Sequence, residues 1–206
     1  MRQGFSLLVL LAALLAACGD AHRAPSGETR PEFGSFRWPS FPIELHADAT
    51  IMDSSDRRRD LRAAIAFWER HAGKKLFQLA DEWQGPSLPF SGAPDKPDSI
   101  AANALVFAPA SDFESNIAGM TSLRVDGGTI TGAVVLLDPQ TDFCSGLCEA
   151  ETDATSLRRL LAHELGHFLG LAHSGDPQNI MYPSIQPGGS LRDRSADDET
   201  LRKLTN

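Results

Sequence analysis

The chain is 206 residues long, 42% hydrophobic and 22% charged, which is enough for one globular domain with a sizeable core and too little for two. A formal net charge of −8 argues against nonspecific nucleic-acid binding, and no polybasic segment marks a membrane-surface site. The short basic run Arg57 to Arg59 reads as one solvated helix face.

The first 17 residues read as a secretion signal: Arg2 supplies the positive charge, Phe5 to Leu15 are mostly apolar, and Ala16 and Ala17 are small. The apolar run falls short of the roughly 20 residues that span a bilayer as a helix. Its end, Leu15-Ala16-Ala17-Cys18, resembles the lipobox of bacterial lipoproteins. That resemblance implies cleavage before Cys18 and a membrane anchor through lipid on Cys18, with ordinary secretion as the alternative. Gly19 after the cysteine points toward the outer rather than the inner membrane of a double-membraned bacterium. Residues 18–35, polar and rich in Gly and Pro, suit a flexible tether, which leaves residues 36–206 as the folded domain.

Within the domain, Ile43 to His46 reads as a first strand. Leu61, Ala64, Ile65 and Trp68 recur at helical spacing and predict an amphipathic helix over 54–71, stopped by Gly73. Leu76 to Leu79 fits a second strand, 81–97 a long surface loop, and Ala104 to Phe107 a third strand. Gly119 to Leu137 reads as a hairpin turning at Asp126, Gly127 and Gly128, its second half inside a sheet and its first half at an edge. Cys144 and Cys148 form an even remainder in an exported chain, which points to a small disulfide loop. Thr152 or Asp153 is expected to cap a helix with Leu157, Leu160, Leu161, Leu165 and Phe168 on its buried stripe. After a loop with Gly188 and Gly189, Ser195 with Asp197, Asp198 and Glu199 opens a closing helix.

The run His163 to His173, HELGHFLGLAH, carries the chemistry. Helical positions four apart share a face, so His163 and His167 can present two imidazoles to one ion. Glu164 is placed to take a proton from a water at the open coordination position. On a continued helix His173 would be rotated roughly 240° and raised roughly 9 Å, out of reach. Gly170 resolves this, because glycine adopts the left-handed conformation that ends a helix and turns the chain back. One catalytic Zn²⁺ is therefore the expected cofactor. No Glu lies between Glu164 and Glu199, which argues against a thermolysin-like third ligand.

This motif resembles that of the metzincin metallopeptidases, HExxHxxGxxH with a methionine turn. Met181 and the segment HSGDPQNIMYPS are similar to the matrixin branch, closely over 163–184 and loosely over 36–206. The resemblance implies an α+β fold: a mixed twisted sheet of about five strands with an antiparallel edge strand, two long helices and a C-terminal helix. It implies that Met181 lies beneath the zinc, and that Tyr182, Pro183, Ser184 and Ile185 wall the substrate pocket. It also makes Gly119 to Val125, beginning Gly119, Met120, Thr121, Ser122, the rim that pairs with an extended polypeptide; a plain edge strand is the alternative. Departures from larger matrixins are the lack of a cysteine-bearing segment to occupy the zinc and of histidines for a structural zinc site. Ca²⁺ is unsupported, since Asp126, Asp138 and Asp142 suit ordinary turns. The expected function is a monomeric zinc-dependent endopeptidase. A noncatalytic zinc-binding envelope lipoprotein and a peptidoglycan-crosslink peptidase are the alternatives.

Overall fold

The computed structural model describes residues 12–18, 34–82, 90–93, 96–100, 102–108, 117–146, 148, 154–185 and 190–206. Its elements run β1 (Ala12–Cys18), β2 (Ile43–Ala47), α1 (Ala49–Met52), α2 (Ser55–Ala72), β3 (Phe77–Glu82), β4 (Phe90–Ala93), β5 (Lys96–Ile100), β6 (Ala104–Phe107), β7 (Gly119–Asp126), β8 (Thr129–Leu137), β9 (Phe143–Cys144), β10 (Thr155–Ser156), α3 (Leu157–Phe168) and α4 (Asp198–Thr205). Strands β3, β2, β6 and β8 lie side by side and parallel, and β7 turns back antiparallel along β8. This is the mixed five-stranded sheet with an antiparallel edge strand that the sequence predicts. Beyond it, β1 pairs antiparallel with β7, from Ala12 opposite Val125 to Cys18 opposite Gly119. Most of the expected leader and tether lies outside the described residues.

The physical causes of these elements are local. Helix α2 starts where Ser54 accepts from the Arg57 N–H and stops at Gly73, whose φ of 67° is left-handed. The β7–β8 turn works because Gly127 and Gly128 both take positive φ, as a two-residue hairpin turn requires. Along β8, Ala133, Val135 and Leu137 face the main core while Val134 and Leu136 join a smaller cluster with Met120, Ala104 and Val106. Both faces of this strand are covered, which accounts for its unbroken apolar run. Helices α2 and α3 pack together on the main-core face, joined by Leu61, Trp68, Leu160, Leu161 and Leu165.

The long loop expected over 81–97 is shorter than its composition implies. Strand β3 continues to Glu82, and β4 pairs with β5 in a separate ribbon. Its register shifts between Ser91 and Gly92, next to Pro97, and irregular pairing is where a strand tolerates a proline. Among the described residues no helix is long and apolar enough to cross a membrane.

Candidate metal centre

Helix α3 is anchored at several points. Thr152 and Asp153, the expected caps, lie outside the described residues; the N-cap is Ser156, whose Oγ accepts from the Arg159 N–H at 3.4 Å. Pairing of β10 with β9 keeps residues 155 and 156 extended, so the helix begins after them. Two buried tryptophans hold the helix from the side: Trp68 Nε1–H donates to the Ala162 carbonyl and Trp38 Nε1–H to the Phe168 carbonyl, both at 2.7 Å. At the far end the Leu171 N–H bonds the Gly166 carbonyl and the Gly170 N–H bonds the His167 carbonyl, with Gly170 at φ 99°. This is a Schellman stop, and it turns the chain toward the helix it has just left.

That turn returns His173. Its Nε2 lies 3.1 Å from Nε2 of His167, which lies 3.1 Å from Nε2 of His163. The spacing looks like hydrogen bonding, yet the protons are committed elsewhere. His163 Nδ1 sits 2.7 Å from the Ile180 carbonyl and His167 Nδ1 2.8 Å from the Leu171 carbonyl, so each Nδ1 is the donor and each Nε2 is left with its lone pair. Converging lone pairs are poised for a cation, and tetrahedral Zn–N bonds of about 2.0–2.1 Å would separate such nitrogens by little more than 3 Å. Burial pushes His163 down to about 3, with the Ile180 carbonyl opposing, and it lowers His167 well below the usual imidazole range, helped by the neighbouring His163 and His173. His173 is lowered by burial too. All three are thereby held neutral, the form that binds metal. Among the described residues no other group of three or more His, Cys or acidic side chains converges.

Met181 is buried beneath α3. A Cβ on Gly166 would come within 2.3 Å of Met181 Sδ and 2.7 Å of Trp68 Cζ2, so the absent side chain is what lets the methionine turn lie against the helix. Asn179 shapes the turn, its Oδ1 accepting from the Met181 N–H and its carbonyl from the Tyr182 N–H. Neither Gly166 nor Asn179 is singled out by the sequence reading. A glycine inside a leucine-rich helix costs about 1 kcal/mol relative to alanine, and that anomaly is the available signal. Tyr182, Pro183, Ser184 and Ile185 follow, half-buried, while Gly188 and Gly189 lie outside the described residues.

Glu164 is fully buried between α3 and β7. Thr121 Oγ1–H donates to its Oε2 at 2.6 Å, and a Cβ on Gly119 would lie 3.1 Å from Oε1. The predicted rim residues therefore divide. Thr121 points at the glutamate, Met120 joins the cluster on the other face of the sheet, and Ser122 is buried, so none of these side chains is exposed along β7. Before α3, Cys144 and Cys148 are bridged with Cα atoms 5.6 Å apart. The loop they close is clamped by buried Asp60, which accepts from the Gly146 N–H and from Arg158. Asp138 accepts from the Gln140 N–H as an ordinary turn former. Arg159, one turn before His163, is pushed down to about 10 by burial and by Arg194. A cavity of about 750 Å³ is bounded by His173 and Met181 together with Ser35, Asp176, Asp197 and Thr200, and by neither Glu164 nor β7.

Comparison with known proteins agrees with this geometry. The chain is 46% identical over 54 residues to Metalloendoproteinase 1 of Glycine max, 26% of this chain and 18% of that protein. It is 45% identical over 47 residues to Metalloendoproteinase 2-MMP of Arabidopsis thaliana, 23% and 12% of the two chains. The match thus spans less than a fifth of either relative's length. Residues 40–204 match the Peptidase M10 family, Matrixin, and since that interval takes in most of the chain, the three-histidine centre and the sheet beside it, the chain belongs to the matrixin family.

Proposed function

We propose that this chain is a zinc-dependent endopeptidase acting on extended polypeptides, with Glu164 as general base. The observation that carries the reading is the convergence of three neutral Nε2 atoms, with the buried Glu164 next to His163 on the same helix and bonded to β7. When bound, zinc supplies Lewis acidity toward water and toward the scissile carbonyl. The remaining work falls to the chain. His163, His167 and His173 hold the ion, two of them fixed by carbonyls at Nδ1. Glu164 takes a proton from the attacking water and returns it to the leaving amine. The outer edge of β7 orients the peptide; that this edge accepts an antiparallel strand is illustrated by β1, which pairs there along seven residues.

The test is cleavage of an unstructured protein such as casein by wild type and by Glu164→Ala. Wild-type cleavage should stop with a chelator and return with zinc, while the variant keeps zinc and loses about 10²- to 10⁴-fold in rate. A zinc-loaded wild type without cleavage would overturn the reading. We propose further that lipid on Cys18 holds the protein on a bacterial envelope, supported by the Leu15 to Cys18 pattern. Membrane fractionation of wild type beside Cys18→Ser checks this: equal release of both would remove the anchor.

A further inference from the structure

We infer that Thr121 is a positioning residue for Glu164, and that it ties the orientation of the base to the strand on which the peptide lies. The inference rests on the endopeptidase reading above. Strand β7 alternates, sending Met120 to the cluster on one face and Thr121, Leu123 and Val125 to the helix-covered face. Leu123 and Val125 belong there as core; a fully buried hydroxyl among them needs a partner. Its partner is the Glu164 carboxylate, with Oγ1 to Oε2 at 2.6 Å, a short charge-assisted bond. The Glu164 carbonyl lies 3.1 Å from the same hydroxyl. One proton cannot serve both acceptors equally, and the shorter distance assigns it to the carboxylate.

Two positions earlier on the same strand face, Gly119 completes the arrangement. An alanine Cβ there would stand 3.1 Å from Oε1 and 3.1 Å from Leu160 Cδ1, so the glycine leaves Oε1 its space. Thr121 thus holds Oε2, which fixes the plane of the carboxylate, while Oε1 lies over Gly119. Because Thr121 and Gly119 belong to the edge strand, a peptide paired along β7 presses on the same backbone that orients the base. Substrate binding and base alignment share one element, 43 residues away from Glu164 in sequence.

The test compares wild type, Thr121→Val and Thr121→Ser on a quenched fluorescent peptide, with zinc content, the unfolding midpoint and a crystal structure of each. Valine keeps the shape and removes the donor; serine restores the donor. For Thr121→Val the expected result is a fall in kcat of about 10- to 100-fold with KM within about twofold and the zinc content unchanged. The Glu164 carboxylate should rotate or split into two positions, and Thr121→Ser should recover wild-type kcat within about threefold. Wild-type kcat in Thr121→Val, or a Glu164 side chain in its original place, overturns the inference. Loss of zinc or of stability in both variants alike also overturns it, because that marks a purely structural residue. A wild type that cleaves no peptide removes the endopeptidase reading instead, and the Glu164 position in the variant crystal still decides whether Thr121 holds it.

Discussion

At Gly166 a hydrogen in place of a methyl group decides how close two parts of the site can come. The helix carrying His163 and His167 meets Met181 and Trp68 at this residue, with no room for a Cβ. Met181 Sδ, at 2.3 Å from that Cβ, belongs to a side chain that can shift, but Trp68 is fully buried and tied to the Ala162 carbonyl. Gly166→Ala should therefore cost about 1–3 kcal/mol by overpacking, despite alanine's better helix propensity, and loosen zinc binding. Urea unfolding and zinc titration would show this; unchanged stability would mean that Trp68 and Met181 yield freely. The candidate site residues are legible in sequence because their spacing is short. Of those that shape their surroundings, Gly166 and Asn179 are visible only as mild anomalies in an otherwise ordinary helix and turn, and Thr121 is named as a rim residue rather than as the partner of Glu164.

The element scale has its own determinants. Helix α4 starts at Asp197, whose side chain accepts from the Thr200 N–H at 2.9 Å, and it docks on α2 through His71 and Asp198 at 2.7 Å. Sequence reading finds this helix but starts it two residues early, with Ser195 as its cap; Ser195 instead pairs with the chain at Gln178 and Ile180. Bonding to the Thr200 hydroxyl and N–H holds the Asp197 carboxyl below its usual value of 3.8. A depressed folded-state value means that this stabilisation is complete above the unfolded value and fades as pH falls through the folded one. Asp197→Ala should accordingly cost about 1 kcal/mol near neutral pH, and the gap to wild type should narrow at an acid pH, as the carboxyl is protonated in the folded state too. Denaturant titrations at the two pH values check it, and a gap that persists in acid would assign the loss to packing.

Taken whole, the molecule is a sheet whose β7 side is the proposed peptide-binding edge. The helices cover one face and a smaller apolar cluster lines part of the other; at the β7 edge the pairing partner is β1, a segment read as part of a cleaved leader. Among the described residues the main core begins at Trp38, with Phe36 packed against it. A chain beginning at residue 34 should therefore fold with a midpoint within about 5 °C of the full chain. It should also hydrolyse peptides at least as fast, because the edge is then open. Thermal unfolding and initial rates on one peptide measure both, and a collapse of the midpoint would make β1 part of the domain.

The three converging histidines, the stop at Gly170, the helices and the hairpin are all readable from the chain, since each depends on residues within about a dozen positions and on helix, strand and turn periodicity. The α3 cap, the space beneath Gly166, the bond from Thr121 to Glu164 and the occupant of the β7 edge are not. They join positions up to more than a hundred residues apart, such as Ala12 with Val125, and depend on how sheet and helices pack rather than on any local preference. Local geometry names the groups that do the chemistry, and packing determines how firmly they are held and what can reach them.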